Sequence, residues 1–219
     1  MTVLLIAAVL VGLALVLRAP GRVLAGMLVL LWAGVTLAHL LLPEGHALLR
    51  AMGAELAFFS PLADAALPAC DALWLPGGYP ELHLAALSAN AGMIAGLRAH
   101  HAAGKAILAE CGGMLFCLDE LADGAGASAA MAGILKGRAT MQPRLAALGL
   151  QHVLLPQGPV RGHTFHYSRL ETPLEPWAVA TNPNGGHGES IYRRGRLTGS
   201  YVHFYFPSNP AAIAALLGG

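Results

Sequence analysis

The chain has 219 residues, enough for one α/β domain and little more. It is 56% hydrophobic and 11% charged with a net charge of +1, which excludes a nucleic acid or an acidic surface as an expected partner. Its three cysteines (Cys70, Cys111 and Cys117) form no disulfide framework, because their number is odd and no paired spacing occurs. We therefore expect free thiols and a reducing, cytoplasmic location.

Residues 1–42 are nearly free of charge and differ in composition from the rest of the chain. They contain two apolar runs, 2–17 and 23–42. The second run is long enough to cross a bilayer and the first is marginal. Three interpretations fit: a membrane anchor, a buried helix or strand that replaces a missing edge of the fold, or an aberrant N-terminus such as a wrong reading frame. We treat 1–42 as a separate segment and 43–219 as the domain.

From residue 43 onward, helical and strand-like patterns alternate. The predicted elements in chain order are a helix at 46–53 that ends at Gly53, a strand at 54–60, a buried strand at 71–78, a helix at 82–104 that ends at Gly104, a buried strand at 105–113 and a helix at 114–121. The Ala-rich stretch 122–132 predicts a loop or weak helix, and 133–206 is rich in short strand-like pieces. This alternation predicts an α/β fold with an open, mostly parallel sheet flanked by helices.

A cysteine lies where a buried strand meets the next helix, in the segment ILAECGGM (107–114). A sharp turn of this kind holds a nucleophile in a strained backbone conformation, and small neighbours such as Gly113 keep the turn free of clashes. The helix N-terminus would lower the pKa of the Cys111 thiol, and the Gly112 amide would donate to an oxyanion. We therefore predict that Cys111 is a nucleophile rather than a small core residue; the other two cysteines lack this setting.

A second glycine-rich turn, LPGGYPE (75–81), also follows a buried strand. Two adjacent glycines let backbone amides approach a ligand closely. Ligand sites of open parallel sheets gather at the carboxyl ends of the strands, so this turn should face the same crevice as Cys111. We predict Gly77, Gly78 and Tyr79 as substrate-binding residues, the alternative being a simple strand-to-helix turn.

A thiol nucleophile needs a base, and several histidines are candidates. His203, in GSYVHF, can take the proton from sulfur and return it to the leaving group. His163 and His166, in RGHTFHYS, form the rival pair, and spacing alone does not choose between them. No third ligand lies near that pair in the sequence, so no metal is expected. His100 and His101 are expected at a solvent-exposed helix end.

Together these segments resemble the class I glutamine amidotransferase domain of cobyrinate (or hydrogenobyrinate) a,c-diamide synthase. The matching stretches cover roughly residues 43–210, and the most specific are PGGYPE and, further along the chain, AECGGM. The resemblance implies a flavodoxin-like fold in which Cys111 attacks the glutamine carboxamide and His203 increases its nucleophilicity. The amides of Gly78 and Gly112 would hold the oxyanion. The ammonia would pass to an ATP-activated carboxylate of a corrinoid in cobalamin biosynthesis.

The sequence departs from the family pattern in two places. Many class I enzymes carry a Glu two residues after the His, where Tyr205 follows His203 here, so a Cys–His dyad is expected. The family segment GHEFHYS appears as GHTFHYS, with Thr164 in place of Glu. The flanking His163 and His166 are expected to contact the substrate or a neighbouring domain.

The resemblance also implies an ATP-dependent synthetase domain, yet no G-x-x-x-x-G-K-[ST] motif occurs in the sequence. We therefore expect no cofactor in this chain, with ATP and Mg on a separate synthetase domain or chain. Glutamine and that corrinoid synthetase are the expected partners. The alternatives are an amidotransferase of the cobyric acid synthase branch, a truncated non-catalytic binding module, and a membrane-anchored protein that uses residues 1–42.

Overall fold

The computed structural model describes the backbone of residues 2–6 and all of residues 44–218. The strands are β1 (Thr2–Ile6), β2 (Glu55–Phe59), β3 (Ala72–Leu75), β4 (Ala106–Glu110), β5 (Glu120–Ala122), β6 (Ser128–Ala130), β7 (Arg138–Met141), β8 (Ala147–Leu155), β9 (Gly158–His166), β10 (Ser168–Glu171), β11 (Ala178–Thr181), β12 (His187–Arg194), β13 (Leu197–Ser200) and β14 (His203–Phe204). The helices are α1 (44–51), α2 (Leu84–Ala89), α3 (Ala91–Ala102), α4 (Gly112–Cys117) and α5 (Pro210–Leu216), with 3₁₀ turns at Pro80–His83 and Phe206–Ser208.

The larger sheet has the strand order β14-β9-β8-β11-β12-β13-β4-β3-β1-β2. The strands from β2 to β13 are parallel, whereas those from β13 to β14 pair in antiparallel fashion. The predicted α/β fold is confirmed, but the sheet is mixed rather than mostly parallel. The reason is that hairpins, such as β8–β9, replace crossover helices in the second half of the chain. A smaller sheet has the order β10-β7-β5-β6.

Strand β1 lies inside the parallel half of the sheet, between β2 and β3. In this register Leu4 is opposite Ala57 on one side and Leu73 on the other. This placement agrees with the interpretation that part of the N-terminal run contributes to the fold, although the strand is interior rather than at an edge. The predictions made for the rest of 1–42, including the membrane spans, lie outside the described residues. Among the helices that the structure describes, none is both long and apolar enough to cross a membrane.

The predicted single helix at 82–104 is wrong, because the chain forms a 3₁₀ turn, α2 and α3 there. The break lies at Asn90, whose Oδ1 accepts a hydrogen bond from the amide of Met93 at 3.2 Å and caps α3. Its Nδ2 donates to the carbonyl groups of Pro61 and Asp64 at 2.8 Å. These bonds hold the start of α3 against the loop that follows β2. The predicted helix end at Gly104, with φ of 69°, is confirmed.

The chain after the nucleophile differs most from the prediction. Helix α4 begins at Gly112 and ends at Cys117, where a helix over 114–121 was expected. Strand β5 follows, and β6 pairs with it, so the prediction of a loop or weak helix at 122–132 is also wrong. Asp123 makes this hairpin, since its Oδ1 accepts hydrogen bonds from the amides of Ala125 and Ala127.

The core lies on both faces of the parallel half. Alternate residues of β3 and β4 enter two separate apolar clusters: Leu73 and Ile107 belong to one, and Trp74 and Leu108 to the other. Every residue of β3 and β4 is buried. Strands buried on both faces give continuous apolar runs, which explains why the sequence identified these two so clearly. Their carboxyl ends lie side by side and position the candidate site.

Candidate active site

The turn at Cys111 has the strained backbone geometry that the sequence predicts. Cys111 lies between β4 and α4 with φ of 45° and ψ of −114°, and in the described part of the chain it is the one non-glycine residue with positive φ. Such a conformation costs about 1–3 kcal/mol and persists only where the surroundings impose it. Here the amide of Cys111 donates to the carbonyl of Ser200 at 2.7 Å, which fixes the turn against β13. A Cβ on Gly113 would collide with the backbone of Leu75.

The PGGYPE loop packs directly against this turn, as predicted. Pairing of Leu75 with Ala109 brings the ends of β3 and β4 level. A Cβ on Gly112 would collide with the backbone of Gly78, and a Cβ on Gly77 would lie 2.5 Å from Cε1 of His203. Close approach therefore requires Gly77 and Gly112, and the Gly77–Gly78 loop lies against both His203 and the turn.

His203 and His163 lie opposite each other in β14 and β9. Their rings are stacked, with centroids 4.9 Å apart and an angle of 16° between the planes. Burial, followed by the charges of His163 and His166, lowers the pKa of His203 to about 3, and burial lowers the pKa of His163 to about 4. Both rings are therefore neutral near pH 7, as a general base must be.

The thiol of Cys111 is also neutral, which corrects the expectation of a lowered pKa. Burial raises the pKa of Cys111 to about 12; the hydrogen bond from the Gly112 amide lowers it, and Glu81, Glu110 and Glu189 raise it. Desolvation thus outweighs the N-terminus of the short helix α4. Among the described residues the Sγ atom makes no hydrogen bond with a histidine ring; it lies 3.8 Å from the carbonyl oxygen of Phe165.

His166 belongs to a separate buried network that the sequence analysis missed. Its Nε2 lies 3.0 Å from Oε1 of Glu189 and its Nδ1 lies 2.9 Å from the carbonyl oxygen of Ser168. The ring stacks on Tyr201 with centroids 3.6 Å apart. Thr164, which stands where the family has Glu, donates to the same oxygen of Glu189 at 3.0 Å. Both ring nitrogens are occupied, so His166 is held in place and His203 is the better candidate base.

The loop also contributes two acidic groups near the sulfur. Burial, followed by the charges of Cys111 and Glu81, raises the pKa of Tyr79, which places its phenol within electrostatic range of the nucleophile. Burial raises the pKa of Glu81 to about 7. Glu81 was not predicted as a site residue, although it is part of the PGGYPE segment. Within residues 44–218 no cluster of three or more His, Cys, Asp or Glu side chains could hold a metal ion.

Two expectations away from the site are also settled. His100 is buried rather than solvent-exposed: its Nε2 lies 3.1 Å from the carbonyl oxygen of Ala106 and its Nδ1 lies 3.5 Å from the Sγ of Cys70. His101 lies 3.1 Å from the carbonyl oxygen of Arg194. Cys117 is fully buried in the apolar core.

Comparison with known proteins gives one family. The family model of the CobB/CobQ-like glutamine amidotransferase domain matches residues 46–211. The chain is 61% identical over 171 residues to the hydrogenobyrinate a,c-diamide synthase of Pseudomonas aeruginosa, covering 78% of the chain and 39% of that protein. The corresponding enzyme of Stutzerimonas stutzeri is 63% identical over 171 residues, with 78% and 40% covered. The cobyrinate a,c-diamide synthase of Salmonella typhimurium is 39% identical over 202 residues, with 81% and 43% covered.

The chain therefore spans about 40% of the length of the curated relatives that it matches. Among solved structures, a crystal structure of a glutamine amidotransferase is similar, with a TM-score of 0.56 and 18% identity over 81% of this chain and 94% of that one. This similarity shows a shared fold.

Proposed function

Because the chain belongs to the CobB/CobQ-like glutamine amidotransferase domain family, we propose that it releases ammonia from glutamine through a thioester on Cys111. The observation that carries the proposal is the strained turn at Cys111, with φ of 45°, against which the Gly77–Gly78 loop is packed. A buried core cysteine needs neither a positive φ nor a glycine loop behind it, so a non-catalytic binding module accounts poorly for this geometry.

The proposed mechanism starts from a neutral thiol and a neutral imidazole. The Sγ of Cys111 attacks the carboxamide carbon of glutamine while His203 accepts the thiol proton. The oxyanion of the tetrahedral intermediate is held by the amides of Gly78 and Gly112. Collapse of the intermediate breaks the C–N bond, and His203 returns the proton to the departing ammonia. Water then attacks the thioester with His203 again as base, which releases glutamate and the free thiol.

The ammonia acceptor is proposed from the relatives. The relatives given above are hydrogenobyrinate or cobyrinate a,c-diamide synthases, of which this chain corresponds to about 40%. We infer that the remaining length in the relatives activates a corrinoid carboxylate with ATP and Mg, and that this chain serves such a synthetase domain or chain. The cobyric acid synthase branch is the second candidate acceptor. The three free cysteines fit a cytoplasmic location.

The proposal is tested by labelling the full chain with 6-diazo-5-oxo-L-norleucine, a glutamine analogue that alkylates thiols, and locating the adduct by mass spectrometry. We expect one adduct, on Cys111, and a labelling rate at least about a hundredfold lower in His203→Ala. Cys70→Ala is the matched control and should label like the natural sequence. Labelling of Cys70 or Cys117, or a rate unchanged in His203→Ala, would contradict the proposal.

A further inference from the structure

A buried carboxyl group lies immediately before the nucleophile. The side chain of Glu110 is 2% exposed. Its Oε1 accepts a hydrogen bond from the backbone amide of Phe204 at 2.9 Å, and its Oε2 accepts one from the indole Nε1 of Trp74 at 3.0 Å. A carboxyl group placed in an apolar core is costly unless it is hydrogen-bonded, so both oxygens need these donors. Neither the mechanism above nor the sequence analysis gives Glu110 a role.

The Phe204 amide connects Glu110 to the base. Phe204 follows His203, and these two residues are the whole of β14. Among the strands that the structure describes, β14 is at the edge of the larger sheet and pairs with β9, through His203 with His163 and Phe204 with Gly162. A two-residue edge strand makes few hydrogen bonds to its neighbouring strand. The hydrogen bond that the Phe204 amide donates to Glu110 therefore helps to fix the backbone of β14. This bond joins the residue before the nucleophile to the residue after the base.

We propose that Glu110 is a positioning residue that holds His203 in place relative to Cys111 through the backbone of Phe204. The inference rests on the proposed function of these two residues. Trp74 completes the arrangement, because it occupies the second carboxyl oxygen and packs against Phe206 in the core, with ring centroids 4.4 Å apart. The carboxyl group thus connects β3, β4 and β14.

If Glu110 acted through its charge, substituting it would change the labelling rate in the opposite direction. Burial raises the pKa of Glu110 to about 8, so this carboxyl group is largely protonated near pH 7. At higher pH its negative charge raises the pKa of Cys111, so removing the charge should make the sulfur more reactive there if electrostatics dominated. It should make the reaction slower if position dominated. Gln is the isosteric substitution that separates these outcomes, because it presents one oxygen and one NH₂ group to two N–H donors and must leave one donor without an acceptor.

The experiment measures kinact and KI for labelling by 6-diazo-5-oxo-L-norleucine at several pH values. We expect Glu110→Gln to lower kinact by about tenfold, the equivalent of one buried amide left without an acceptor, with KI unchanged. Trp74→Phe is the matched control, since it removes the other donor and leaves the Phe204 bond intact; its kinact should stay within about twofold of the natural chain. In the double variant one donor faces one acceptor, so kinact should recover towards the Trp74→Phe value.

A folded Glu110→Gln protein with unchanged or increased kinact would overturn the inference, as would an equal loss in Trp74→Phe. If the natural chain is not labelled at all, the proposed function fails and not this inference alone. An NMR titration of the natural chain tests the inference without any substitution, so it applies even if the chain is not labelled or a variant does not fold. In the natural chain the amide proton shift of Phe204 and the ring signals of His203 should titrate together with the Glu110 carboxyl carbon. Independent titration would also overturn the inference.

Discussion

At the residue scale, the first prediction follows from the close contact between Gly77 and the ring of His203. Gly77→Ala would place a methyl group 2.5 Å from Cε1 of His203, so the ring must move away. We expect labelling of Cys111 by the glutamine analogue to slow by about tenfold or more, because even a small displacement of a catalytic base strongly lowers the reaction rate. Gly124→Ala is the control, since its Cβ would meet only one atom, at 3.8 Å. Equal labelling rates in the two variants would show that Gly77 does not position the base.

The raised pKa of Glu81 makes a prediction about pH. Burial raises this pKa to about 7 from an ordinary value of 4.5. Between about pH 4.5 and pH 7, Glu81 is therefore protonated in the folded protein and ionised in the unfolded chain. The stability contribution is fully present below about pH 4.5 and is lost as pH rises through about 7, by at most about 1.4 kcal/mol per pH unit. Glu81→Gln removes the effect, so denaturant unfolding of the two proteins at pH 5 and pH 8 should show the natural chain losing stability relative to the variant. A difference that is the same at both pH values would contradict this account.

At the residue scale the sequence predicts groups that have a local pattern and misses those that do not. Cys111 and Gly78 follow buried strands and have glycines beside them, so the local sequence shows both their residue type and their position at a strand end. Glu110 and Glu189 lie within strands, where an acidic residue has no local signature. Their partners, such as the Phe204 amide, are distant in sequence and become neighbours only through the strand order of the sheet.

The break between α2 and α3 gives the prediction at the scale of elements. Asn90 caps α3 and also holds two carbonyl groups of the loop after β2. Asn90→Ala should lower the free energy of unfolding by about 1–2 kcal/mol, from loss of the cap alone. Asn184→Ala, at an exposed turn, should change it by less than about 0.5 kcal/mol. Urea denaturation of both variants measures the difference, and equal values would mean that the cap does not stabilise the chain.

The elements that the sequence predicted well are those fixed by burial alone. β3 and β4 are buried throughout and apolar except for Glu110, because both faces of the sheet are covered there. The helix break at Asn90 and the hairpin of β5 and β6 depend instead on single hydrogen-bonding side chains within otherwise helical or Ala-rich sequence. Composition does not distinguish an Asn that caps a helix from one on its surface, and the exposed side of β6 carries no apolar signal.

At the scale of the whole molecule, the site joins two halves of one sheet. The parallel half supplies Cys111 and the Gly77–Gly78 loop, whereas the antiparallel half supplies His203 from an edge strand. Helix and strand periodicity predicted the first half. In the second half the sequence predicted short strands but not their order, because the pairing of β14 with β9 joins segments that are distant in the chain. The position of His203 relative to Cys111 therefore depends on how well the complete sheet is held together.

The interior position of β1 makes the last prediction. A central parallel strand forms ladders on both sides, here with β2 and β3, and Leu4 lies in the middle of both. Leu4→Pro would remove an amide donor and force the backbone out of register, which costs about 3 kcal/mol or more in an interior strand. Because β3 carries the Gly77–Gly78 loop, labelling of Cys111 should fall together with the free energy of unfolding. Leu4→Val is the control, since it preserves the backbone and favours a strand. If Leu4→Pro unfolds at the same denaturant concentration as Leu4→Val, β1 contributes nothing to the sheet in solution. If stability falls while labelling is retained, the two halves of the site are held by β4 and β13 alone.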